Sequence, residues 1–131
     1  MTFNMYVKIL LTLIFIALTA CSTTPSNPNA PYILEQHKNI AVEPTTKHNS
    51  ARLIKQSNNC LIEFTGNFET GKATEYWIFK GEQLISAHTN LDAEVEQKQT
   101  VFNPAEPQIQ SNFNALKNHF KAQNLQQCEH F

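Results

Sequence analysis

The chain is poor in the residues that give a protein an easily read chemistry. Its 131 residues include three glycines, Gly66, Gly71 and Gly81. They stand singly, so no glycine-rich loop able to cradle a phosphate is present. There is one arginine, Arg52, and ten basic residues stand against eleven acidic ones. No basic stripe exists, which argues against nucleic-acid binding, because neutralising phosphates takes a concentrated positive face. The same scarcity argues against docking on anionic lipid headgroups. Neither a G-x-S-x-G elbow nor an H-E-x-x-H pair occurs. The two methionines, Met1 and Met5, are confined to the N-terminus, and Trp77 is the single tryptophan.

What is present begins with the N-terminus. One cation, Lys8, precedes an apolar run from Ile9 to Leu18 broken only by Thr12. A basic start, an apolar middle and small residues behind it form the layout of a secretory signal. The run is well short of the ~20 apolar residues that a bilayer crossing needs. Cys21 follows the small residue Ala20 directly. Leu18-Thr19-Ala20-Cys21 resembles the lipobox of bacterial lipoproteins, and the resemblance covers residues 1–21 only. It implies acylation of the Cys21 thiol, a cut before it, and residues 1–20 as a signal peptide. Ser22 after the cysteine further implies sorting to the outer membrane, with the domain in the periplasm or at the cell surface.

With Cys21 given to lipid, Cys60 and Cys128 are left. An even pair in an exported chain reads as a disulfide. It closes a loop of about 70 residues, for which the chain-entropy model gives roughly 4 kcal/mol. That matters to a domain of this size, whose core alone is marginal. Residues 21–49 read as a tether: Ser22 to Pro31 is Pro, Ser, Thr and Asn without apolar periodicity, and Pro44-Thr45-Thr46 returns to the same chemistry. Tyr32-Ile33-Leu34 is a brief apolar patch between them.

The folded domain is expected over residues 50–131. Ser50 to Gln56 reads equally as a capped helical turn or a short strand. Cys60 to Thr65 alternates, with Cys60, Ile62 and Phe64 on one face. Ala73 to Lys80 follows, with Trp77 and Phe79 on one face and Tyr76 and Ile78 on the other. Gly81-Glu82 suits a two-residue hairpin turn into Gln83–Thr89. Gln97 to Phe102 makes a fourth strand. From Pro107, Ile109, Phe113, Leu116 and Phe120 recur at helical spacing, with Lys117 on the outer side and Asn124 as a stop. The expected class is α+β: a small antiparallel meander of about four strands, one face covered by a C-terminal amphipathic helix and stapled by one disulfide.

No residue set specifies a reaction, so no catalytic residue, cofactor or metal is expected. His88 with Glu75 is conceivable as an acid–base pair, and His119, His130 and Glu129 as ligands, but surface histidines are far commoner. Two features suit contact with a partner. One is the sheet face the helix leaves open, represented by Tyr76 and Ile78 if Trp77 and Phe79 meet the helix, with the roles exchanged in the opposite registration. The other is the acidic stretch Asp92 to Glu96, which would suit an inhibitor of a basic exported hydrolase such as a lysozyme. The preferred expectation is a non-catalytic envelope lipoprotein, held to the membrane by its lipid and meeting another envelope protein.

Overall fold

Side chains alternating with a period of two run through about half of the chain after residue 31, and they build one sheet. The computed structural model describes residues 26–43, 45–69, 71–92 and 98–131; the N-terminal apolar run, Cys21 and the loop after Asp92 lie outside them. Six strands follow in chain order: β1 (Tyr32–Lys38), β2 (Lys47–Lys55), β3 (Cys60–Phe68), β4 (Gly71–Lys80), β5 (Gln83–Asp92) and β6 (Lys98–Phe102). Each lies beside its sequence neighbour, antiparallel, in the order β1-β2-β3-β4-β5-β6.

The meander is as expected, but it has six strands rather than four. The two extra strands come from a stretch that reads largely as tether. β1 is an edge strand, and a bulge at Leu34 breaks its alternation: Ile33 pairs with Ile54, yet Glu35 pairs with Leu53. β2 is interrupted at its start, where His48 has φ 53° and the register slips between Lys47 and Ser50. Past that bulge the alternation is clean, and Ala51 and Leu53 are fully buried. Pairing with β3 makes Ser50 to Lys55 a strand, a choice that local sequence leaves undecided. The linker chemistry therefore yields to the sheet at Tyr32, not at Ser50.

The C-terminal segment covers one face. α1 spans Pro107–Lys117, with Pro107 in the first turn, where its missing N–H leaves no bond unmade. Ile109, Phe113 and Leu116 point to the sheet and join Leu53, Ile62, Trp77, Phe79 and Leu84 in the core. Phe113 meets Phe79 edge-on at 5.2 Å between ring centroids and lies nearly parallel to Trp77 at 6.3 Å. Trp77 and Phe79 thus face the helix, and Tyr76 and Ile78 lie on the other side.

The apolar stripe does not continue as one helix to Asn124. α1 ends at Lys117, and a turn delivers Phe120 to the core before α2 (Ala122–Leu125) and a 3-10 turn (Gln126–Cys128). Two groups hold this break. Lys121 donates its N–H to Glu35 of β1, and Asn124 donates its side-chain amide to the same carboxylate oxygen. The tail then reaches the far end of the sheet, where Cys128 is bonded to Cys60 and its carbonyl accepts the Gly81 N–H at 2.7 Å.

Lys117 is a correction to the outer face expected for it. It is 7% exposed, its stem is laid on the core, and its Nζ sits 5.2 Å from the Phe113 ring centroid. From there the ammonium reaches Glu82 in the β4–β5 turn at 2.6 Å. A long cationic side chain at the edge of a helix's apolar stripe buries its methylenes and keeps its head near water. No helix among the described residues is long and apolar enough to cross a membrane.

Candidate functional site

The sheet has two unlike faces, and strand register decides what each displays. On the outer face, away from α1, one line of pairings runs Ile33, Ile54, Leu61, Ile78 and Ser86 across five strands. A bulge in β5 opposite Ile78 and Phe79 leaves Ile85 beside this line. Ile33 and Ile85 are each about half exposed, at 48% and 49%. The next line is Gln36, Arg52, Glu63, Tyr76, His88 and Val101. Here Arg52 is paired with Glu63, and Tyr76 stacks on His88 with ring centroids 5.0 Å apart. Tyr76 and Ile78 are therefore neighbours on one surface, each half-buried by cross-strand partners.

The inner face is closed over one end of the sheet and hollow at the other. α1 lays Phe113 against Phe79 and Trp77, while the β1–β2 connection crosses the opposite end. Between helix and connection lies a cavity of about 540 Å³. Its base includes Phe64, Glu75 and Trp77. Ile109 and Leu116 of α1 form one wall, and Ile40 and Val42 of the connection form another. Phe102 of β6 also lines it and stacks on Trp77 at 5.7 Å.

Glu75 is the chemically unusual member. Its place on β4 puts it on the core side, two residues before Trp77. The Trp77 indole Nε1–H donates to Glu75 Oε2 at 3.0 Å. Burial raises the Glu75 carboxyl above its ordinary range, against the opposing pull of that hydrogen bond. Thr89 pairs directly with Glu75 across the strands, and its Oγ1 is shut from solvent without a hydrogen-bond partner among the described residues. Sequence reading assigns this alternating segment to core. Alternation puts Glu75 on the side of Trp77, but the sequence gives no sign of the cavity beside it.

The connection that closes the cavity is organised by one buried amide. Asn49, 3% exposed, accepts the Ile40 N–H through Oδ1 at 2.8 Å. Its Nδ2 donates to the Ile40 carbonyl at 2.9 Å and reaches Thr46. Gly66 lies beneath: a Cβ there would meet Thr46 Oγ1 at 3.0 Å. From the other side, His119 donates its Nε2–H to the Ala41 carbonyl at 3.1 Å.

Two groupings that the sequence makes conceivable do not form. Glu75 pairs with Thr89 on the inner face, whereas His88 pairs with Tyr76 on the outer one, so the sheet separates the two. Among the described residues, no group of three or more His, Cys, Asp or Glu is placed to hold a metal ion. Cys60 and Cys128 do come together, as their disulfide requires. Cys21 lies outside the described residues, as does most of the Asp92 to Glu96 stretch. The chain matches no protein-family model, no curated protein and no solved structure with which it was compared.

Proposed function

We propose that the chain is a lipid-anchored envelope lipoprotein whose domain is a non-catalytic interaction module. Cys21 carries the lipid and holds the domain at the outer membrane, and the outer sheet face meets another envelope protein. The observation in favour is the open apolar line across that face, from half-exposed Ile33 through Ile54, Leu61 and Ile78 to Ile85. Contiguous apolar surface left uncovered on a small domain favours a contact role. The adjoining Arg52–Glu63 pair and Tyr76–His88 stack supply the polar and aromatic border common to such contacts.

Two measurements test this. Fatty-acid labelling of cells should mark the native chain and not Cys21→Ser; equal label on both removes the lipid anchor. Chemical crosslinking in the native envelope should capture a discrete protein partner, and Tyr76→Glu together with Ile78→Glu should abolish the capture in a folded chain. Capture that persists in this variant moves the contact off the outer face. If it instead maps to Asp92, the inhibitor reading takes its place.

A further inference from the structure

The cavity under α1 is on the opposite side of the sheet from the proposed protein contact, and its chemistry is of a different kind. Its volume, about 540 Å³, falls within the range of roughly 300–1,000 Å³ usual for small-molecule sites. Most of its surface is apolar: Phe64, Phe102, Ile109 and Leu116 offer flat and branched hydrocarbon. Its charged lining consists of two carboxylates, Glu75 at the base and Glu43 from the β1–β2 connection; no Lys, Arg or His lines it among the described residues. Trp77 fixes the Glu75 side chain by holding Oε2, and Oε1 accepts no hydrogen bond among the described residues. The Thr89 hydroxyl beside it is also without a partner.

A carboxylate in such a place is costly unless an opposite charge or a donor meets it. α1 brings Gln108, Ser111 and Asn112 to the cavity, β5 places Thr89 opposite Glu75, and none of these is a cation. The missing complement is a positive group attached to an apolar body. We propose that this cavity is a binding site for a small organic cation, an amine or ammonium carried on an aromatic or aliphatic frame, whose charge meets the Glu75 carboxylate and whose frame lies against Phe64, Phe102 and Leu116.

Ionised Glu75 is the form that binds. Burial holds its carboxyl toward the neutral form, so a bound ammonium draws it back toward the ionised one and releases a proton. Affinity for the cation therefore rises with pH as Glu75 ionises. Glu43, at the cavity's edge, adds negative potential in the same direction.

The single tryptophan is the reporter, since Trp77 lines the cavity and bonds to Glu75. The full chain, reconstituted in phosphatidylcholine vesicles, is titrated with 2-phenylethylammonium, with neutral 2-phenylethanol and with phenylacetate while Trp77 emission is followed. The ammonium should bind at least tenfold more tightly than the alcohol, and phenylacetate more weakly than both. Glu75→Gln keeps an acceptor for Trp77 and should erase the preference for the ammonium. Ala115→Leu, which adds bulk to the cavity lining from the exposed side of α1, should weaken all three probes. Equal affinities for ammonium and alcohol, a silent Trp77, or a preference that survives in Glu75→Gln would each overturn the proposal. None of these readouts involves the outer face, so the envelope-contact reading stands or falls separately.

Discussion

The Glu35 carboxylate, on the edge strand β1, accepts the backbone N–H of Lys121 at 2.9 Å. It thereby ends one helix and starts the next, because Lys121 is the residue that opens α2. The same oxygen takes a second bond from Asn124 at 2.8 Å, and the other oxygen faces His37. An edge strand is thus tied to the C-terminal segment, whose far end is tied to β3 by the Cys60–Cys128 bond.

Acid should weaken this tie. Burial acts to raise the Glu35 carboxyl, but the bonds from Asn124, Lys121 and His37 outweigh it and hold it below the ordinary 4.5. A lowered folded-state value means stability that is present above pH 4.5 and lost as pH falls through the folded value. Urea unfolding of the native chain should therefore show a loss on acidification from pH 6 to pH 3 that is smaller in Glu35→Gln. Equal losses would mean that the carboxylate makes no net contribution.

Glu75 should behave in the opposite sense. Its raised folded value means that the folded state holds its proton more tightly than the unfolded state does. Stability from this group is present below the ordinary 4.5 and falls as pH rises through the folded value. Glu75→Gln should therefore be more stable than the native chain at pH 8, with the difference closing near pH 4. A variant less stable at pH 8 would contradict the assignment of Glu75 as a desolvated carboxylate.

Along α1, truncation costs should follow contact rather than helical phase alone. Phe113→Ala removes a fully buried ring between Trp77 and Phe79 and should cost about 3–5 kcal/mol. Lys117→Ala should cost about 1 kcal/mol, mainly through its buried stem, since Glu82 is well exposed and the ion pair adds little. Asn114→Ala, on the exposed side, should stay within about 0.5 kcal/mol. Chemical denaturation of the three variants orders them; a Lys117 effect no larger than that of Asn114 would return Lys117 to the outer face.

Reduction should cost a large part of the domain's stability. The Cys60–Cys128 bond joins residues 68 apart, worth roughly 4 kcal/mol by chain entropy. A non-reduced digest should yield the two cysteine peptides linked. Cys128→Ser should lower the denaturation midpoint by about as much as reductant does, and a smaller effect would mean that the tail docks independently of the bond.

The cavity wall depends on Asn49. Replacing it with alanine leaves the Ile40 amide without its side-chain partner, at about 1–3 kcal/mol. Gly66→Ala should disturb the same connection from below, by pressing on Thr46. In both variants, amide exchange should quicken at Ile40 to Val42 and stay unchanged in β4. Unchanged exchange at Ile40 would show that the connection is held by other contacts.

Local chemistry was enough to determine the parts of this protein that repeat or stand alone. Alternation from Cys60 to Phe79 dictates strands, because every second side chain must leave water. The spacing of Ile109, Phe113 and Leu116 dictates a helix with one buried stripe, and once Cys21 is read as a lipid-attachment site Cys60 and Cys128 leave each other as the natural partner. Only the tertiary structure decided the rest. Tyr32–Lys38 is a strand because β2 offers it hydrogen bonds, and no periodicity of its own announces them through the bulge at Leu34. Lys117 is buried because Phe113 and Glu82, one on its own helix and one 35 residues away in a turn, meet around it. Glu75 and His88 look like potential partners in the sequence, yet strand register sends them to opposite faces. The cavity around Glu75 exists because α1 covers one end of the sheet while the β1–β2 connection, pinned by Asn49, crosses the other. Its chemistry arises from residues brought together across the fold, which is why no short motif contains it.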